Sequence, residues 1–179
     1  NIVSDATRYA ILGILNKKKM SGYQIKKELE KTISIFWTDS FAQLYPMLHQ
    51  LEKNKLIELD SYQSHGKRVS KIYNITAAGT DSLKEWLKQP ASELRVRDEL
   101  LLKVFMGSNI EESFSLEKVK SEELRLQGMQ GCLNRAKKGL VQEEVSENSF
   151  HKLTIDYIEG VVNAKLNWCN RAKTILQGD

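Results

Sequence analysis

The chain has 179 residues, 41% hydrophobic and 28% charged, with only two prolines and ten glycines, the composition of a folded, helix-rich protein rather than a disordered tail. No run approaches the roughly 18 consecutive apolar residues that span a bilayer, no apolar signal-peptide core opens the chain, and Cys132 and Cys169 form no CxxC or disulfide lattice, so a cytoplasmic, reducing setting is expected. The net charge of +4 is uneven: residues 1–90 hold 14 Lys and Arg against 9 Asp and Glu, residues 91–179 hold 13 against 14, and the N-terminal half is thereby pointed toward a polyanion.

Thr7 to Lys18 places Ala10, Ile11, Ile14 and Leu15 on one face of a first helix, with cations at the end that suits the helix dipole. Ser21-Gly22-Tyr23-Gln24 reads as a capping box that opens a second helix running through Ile25 and Leu29 to about Thr32. A third helix is expected to open near Thr38, Asp39 or Ser40, burying Phe41, Leu44, Leu48 and Leu51 and ending at Lys53, with Asn54 as a left-handed cap. The period then changes. Leu56–Tyr62 and Val69–Ile75 read as paired strands joined by a polar, basic tip at 63–68, and Thr76 caps a fourth helix that Pro90 closes.

Beyond Pro90 every strong signal is helical. Arg97 to Met106 is apolar almost all round and is expected to be buried on several sides. Glu111 to Leu140 carries a seam of Leu116, Val119, Leu126, Met129, Leu133, Ala136 and Leu140 that only Glu123 interrupts. Phe150, Leu153, Tyr157, Val161, Ala164, Trp168, Ala172 and Ile175 form a second seam near the heptad period. The order predicts a mainly α protein: a winged helix-turn-helix domain over 1–90 and an all-helical dimerisation arm over 91–179.

A third helix of this plan fits the major groove of DNA and the hairpin reaches phosphates or the minor groove. Gln43, Tyr45, His49, Gln50 and Lys53 project opposite the buried stripe; amides read base edges, and lysine meets phosphate or guanine. Tyr45 stays open between groove contact and half-buried packing. Lys67 and Arg68 supply a cationic wing tip, Ser40 stands at the expected helix start, and Ser21 and Tyr23 open the second helix where phosphate meets backbone amides. Phe150, Leu153, Tyr157, Val161, Ala164, Trp168 and Ile175 are the expected dimer interface, because one helix pair cannot cover two long seams. An effector, if one binds, is assigned to Trp86, Phe105 and Tyr157.

Catalysis has no visible constellation. Three dispersed histidines, no phosphate-cradling glycine loop, no nucleophile elbow and two cysteines expected to be neutral and buried argue against an enzyme, a metal or a cofactor. The competing class is a protein-interaction module with an oligomerising helical arm. Such a module would present apolar residues where this chain puts amides and cations.

Tyr9-Ala10-Ile11-Leu12-Gly13-Ile14-Leu15, Ser21-Gly22-Tyr23-Gln24-Ile25, Leu44-Tyr45-Pro46-Met47-Leu48-His49-Gln50-Leu51-Glu52 and Tyr73-Asn74-Ile75-Thr76-Ala77-Ala78-Gly79 resemble, in order, motifs of the PadR family of bacterial transcriptional regulators. Arg97-Asp98-Glu99-Leu100-Leu101-Leu102-Lys103-Val104-Phe105 and the long helices after it are similar to the branch with a large helical C-terminal domain. Lys55 departs from the family, which commonly has glycine there. The resemblance implies a homodimeric DNA-binding repressor with a double-stranded operator, often under small-molecule control.

Overall fold

The computed structural model of the chain describes residues 6–34, 36–37, 43–65, 68–94, 96–140 and 145–178, and of residues 65, 68, 139, 140 and 145–148 the backbone only. The elements are α1 (Ala6–Lys17), β1 (Met20–Ser21), α2 (Gly22–Thr32), α3 (Leu44–Lys53), β2 (Ile57–His65), β3 (Arg68–Ile75), α4 (Ala77–Lys88), α5 (Glu99–Phe105), a short 3-10 turn (Gly107–Asn109), α6 (Glu112–Leu140) and α7 (Val145–Gln177). They divide into two compact units, Asn1–Glu93 and Leu94–Asp179.

The first unit closes around Ile11, Leu12 and Leu15 of α1, Ile25 and Leu29 of α2, Leu44, Leu48 and Leu51 of α3, and Ile57, Tyr73 and Leu83. Each fully buried Leu or Ile contributes about 1.5–3 kcal/mol, so this cluster sets the unit's stability. Trp37 is half-buried at its edge and donates its indole N–H to Thr7 Oγ1 at 3.0 Å. The expected caps Thr38, Asp39 and Ser40, and Phe41 with them, lie outside the described residues.

The sheet has three strands in the order β1-β3-β2, all antiparallel. β1 was not anticipated. Two residues carry no period, yet Met20 pairs with Tyr73 and Ser21 with Ile72. The hairpin tip is also shorter than the polar stretch 63–68 implied, because the ladder continues to His65 opposite Arg68. Polar side chains on a solvated ribbon do not prevent pairing, since the backbone groups still satisfy one another.

One further expectation is corrected in this unit. Asn54 is not the left-handed residue (φ −81°, ψ 4°); Lys55 is, with φ 58°. The Lys55 N–H donates to Glu52 O at 2.9 Å and the Leu56 N–H to Leu51 O at 3.0 Å. That is a Schellman ending, which demands positive φ at the residue after the cap, whatever its side chain. Thr76 then caps α4 as expected and ties it to the same corner, accepting from the Gly79 N–H at 3.0 Å and donating to Lys55 O at 2.7 Å.

In the second unit α6 and α7 form a long antiparallel hairpin. Val119, Leu126 and Leu133 are buried at seven-residue spacing on α6, and Ile158, Val162 and Cys169 are buried on α7. Glu123 does not break this seam. Lys173 Nζ reaches both of its carboxylate oxygens at 2.6 Å, while Gln130 meets Asn163 at 2.9 Å and Lys137 meets Glu159 at 2.5 Å, fixing the register at three levels.

The expected burial of the 97–106 helix does not hold in the single chain. α5 has no buried residue, and Phe105 is 81% exposed, because a seven-residue helix laid on α6 covers only one of its sides. Cys132, expected to be buried, is exposed and accepts from the Arg135 guanidinium at 3.1 Å. Cys169 is buried, and burial pushes its thiol up.

Candidate nucleic-acid interface

The turn into α2 is built from a reciprocal pair. Ser21 Oγ accepts from the Gln24 N–H at 3.3 Å, and Gln24 Oε1 accepts from the Ser21 N–H at 2.8 Å. Ser21 is itself buried, so its side chain acts as a cap, while Tyr23 beside it is exposed with Lys27 Nζ 5.9 Å from its ring centre. Gly22 sits at the first turn for a reason that its position in a helix signals: a Cβ there would lie 2.9 Å from Tyr45 Cε1. The missing side chain lets the Tyr45 ring lie across the start of α2. Tyr45 nevertheless remains 60% exposed, so packing against α2 leaves much of its ring at the surface.

α3 turns Leu44, Leu48 and Leu51 into the core and leaves Gln43, Tyr45, His49, Gln50 and Lys53 exposed. At 100° per residue His49, Gln50 and Lys53 cluster opposite the leucines, with Tyr45 and Gln43 on the two flanks. Gln43 precedes α3 and makes no side-chain cap bond. The third-helix residues anticipated from sequence are thus brought to one solvent face. Ser40 and Lys67 lie outside the described residues, and of Arg68 only the strand pairing with His65 is described.

The base of the hairpin is pinned. Lys19 pairs with Asp60, the extra residue of a bulge between Leu59 and Ser61, and that ion pair holds the Asp60 carboxyl below the usual carboxylate range. Beside it, burial holds the Tyr73 phenol above its ordinary value, with further upward contributions from Glu52, Tyr62 and Tyr45.

Elsewhere Phe150, Leu153, Tyr157, Val161, Ala164 and Ile175 are exposed on α7, and Trp168 is half-buried. Of the aromatic trio assigned to an effector, Trp86 belongs to the first unit and stacks on Tyr9, ring centres 4.6 Å apart, whereas Phe105 and Tyr157 belong to the second and are exposed. The second unit forms a separate open cleft of about 260 Å³ between Leu100, Leu101, Ala164 and Trp168, rimmed by Asp98, Glu122 and Lys165. Sequence reading missed it, since its walls come from three helices and follow no single period.

Residues 11–85 match the transcriptional regulator PadR-like family and residues 96–177 the virulence activator alpha C-terminal family. The negative transcriptional regulator PadR of Bacillus subtilis is 32% identical over 134 residues, 72% of this chain and 73% of that protein. The fold is also that of the crystal structure of Bacillus subtilis PadR in complex with operator DNA (TM-score 0.83, 23% identity, 96% of this chain and 99% of that one). The crystal structure of the same protein in complex with p-coumaric acid is similarly close (TM-score 0.79, 22% identity, 96% and 99%). With a winged helix over the matched N-terminal residues, a helical hairpin over the matched C-terminal ones, and a relative alike across most of both chains, the protein belongs to the PadR-like family of transcriptional regulators.

Proposed function

We propose that the protein binds a pseudo-palindromic duplex operator as a cytoplasmic homodimer and represses transcription there. The observation that carries the reading is the exposed face of α3: Gln43 at its start and Tyr45, His49, Gln50 and Lys53 along it are exposed, while its other side is locked into the core. Tyr23, with Ser21 and Ser40, is assigned to phosphate, Lys67 and Arg68 are assigned to the backbone or minor groove as the cationic wing residues, and residues 1–90 constitute the DNA-binding domain. Dimerisation through residues 91–179 is supported by what the single chain leaves uncovered, namely the apolar stripe from Phe150 to Ile175 and the outer side of α5. Two-fold symmetry then places two recognition helices about 34–36 Å apart on half-sites one turn apart. Repression follows the negative regulator that resembles this chain. Control by a small aromatic molecule is supported by the p-coumaric acid complex of the Bacillus subtilis protein; a compound of that class raises the thermal midpoint and changes duplex affinity.

Fluorescence anisotropy on selected and scrambled duplexes at several salt concentrations tests the division of labour. Lys67→Ala with Arg68→Ala weakens every duplex and lowers the logarithmic salt slope by roughly two, for two lost phosphate contacts. Gln43→Ala flattens discrimination by about 1–3 kcal/mol at one base pair per half-site and spares nonspecific binding. A double variant with the wild-type slope, or a Gln43→Ala that reads every base as before, refutes these roles.

A further inference from the structure

The core-side face of the hairpin does not end where the core ends. Tyr73 faces the core, and the residues two and four before it on β3, Lys71 and Val69, share its side of the sheet. Their ladder partners are Tyr62 and Ser64, directly opposite and therefore on the same side. The bulge at Asp60 allows this, since the extra residue shifts β2 by one position and returns Tyr62 to the face that Leu59 holds below it. Without the bulge, a strict alternation would have put Ser61 and Gln63 there instead. The outcome is a strip in which Tyr62 is 62% and Val69 is 65% exposed, continuing the packed surface outward beside the flank of α3 that carries Tyr45.

The charge of the strip says what it can meet. From Ser61 to Thr80 the sequence has no acidic residue, while Lys67, Arg68 and Lys71 are cationic. Asp60, the acid nearest the strip in sequence, is occupied by Lys19. The strip itself holds no acid, Glu52 of α3 being the one that acts on Tyr73 at its base, and an exposed apolar strip bordered by Lys71 is suited to a polyanion that also offers apolar edges. Duplex DNA does so, because the deoxyribose rings between its phosphates are apolar.

We propose that Tyr62 and Val69 form an apolar shelf that packs on deoxyribose of the duplex flanking the groove entered by α3, giving affinity that depends neither on sequence nor on salt. The proposal rests on the reading of α3 as the groove-entering helix and adds a class of contact distinct from the cationic tip. Lys71 beside the shelf reaches phosphate, whereas the shelf itself neutralises no charge and releases no counterion.

The test is anisotropy on specific and scrambled duplexes across a salt series with Tyr62→Ala, Val69→Ala and Tyr62→Phe. Tyr62→Ala weakens both duplexes by the same factor, about three- to tenfold, at an unchanged salt slope; Val69→Ala does so by a smaller factor. Tyr62→Phe binds as wild type, since the ring and not the hydroxyl is used. Wild-type affinity in Tyr62→Ala overturns the shelf, as does a Tyr62→Phe that loses as much as the alanine variant, which would assign the hydroxyl to phosphate instead. A wild-type chain that binds no duplex overturns the shelf together with the reading of α3, whereas a binding wild type with an indifferent Tyr62→Ala overturns the shelf alone.

Discussion

Lys55 is the described non-glycine residue with positive φ, and it closes the helix that presents the interface. A side chain in that conformation costs roughly 1–2 kcal/mol relative to glycine. Lys55→Gly is therefore expected to stabilise the fold by about 0.5–1 kcal/mol after the greater freedom of glycine in the unfolded chain is allowed for. Urea denaturation measures it, and a Lys55→Gly midpoint at or below that of wild type contradicts the assignment. Gly79 presents the opposite case: a Cβ there would lie 2.0 Å from Leu56 O, a backbone atom fixed by the same corner. Gly79→Ala has to move the start of α4 and is expected to cost about 2–4 kcal/mol, read from the same denaturation curves. Residue-level signals of this kind were partly legible. Ser21 with Gln24, and Thr76, announce their caps because each bond spans three residues. The left-handed position was misassigned to Asn54, whose side chain favours that conformation, because it is set by where α3 ends and not by which residue tolerates it.

Among the elements, α7 shows why periodicity finds a stripe without saying what covers it. One stripe, Ile155, Ile158, Val162 and Cys169, faces α6; another, Phe150, Leu153, Tyr157, Val161 and Ile175, is exposed roughly 110° around the helix. With Lys165 in the first and Ala164, Trp168 and Ala172 in the second, both step by threes and fours, and the second attracts notice because it holds the larger side chains. Lys165 lies within the stripe toward α6 and hides it from a search for apolar residues. The hairpin between β2 and β3, in contrast, was readable because alternation, β-branched residues and a glycine coincide over a short stretch. Toward the open end of the α6–α7 hairpin the Glu123–Lys173 pair lies with both side chains less than a quarter exposed. Lys173→Met strands the carboxylate and is expected to cost about 1–3 kcal/mol, while the double change Glu123→Leu with Lys173→Met costs less than that single change. A double-mutant cycle by thermal and urea unfolding measures the difference, and additive losses would mean that the two groups do not support one another.

For the molecule as a whole, the winged-helix plan was legible in the order of its elements, whereas the role of the helical unit depends on surfaces that only an assembly would cover. The exposed stripe of α7 and the apolar outer side of α5 are the features that the proposed dimer would cover. Val161→Asp or Tyr157→Asp puts a carboxylate into that stripe and is expected to yield monomers or insoluble protein, with light scattering as the measurement; an intact dimer from both variants would move the interface elsewhere. Loss of the dimer also separates the two recognition helices and is expected to abolish tight binding to a two-half-site duplex while sparing weak, salt-sensitive binding to any duplex. The most direct test of the central claim is therefore the mass of the complex formed with a duplex selected from a random pool. The account predicts two 20.5 kDa chains on one duplex whose sequence has pseudo-two-fold symmetry. A single chain per duplex, or a pool that yields no preferred sequence, would contradict it.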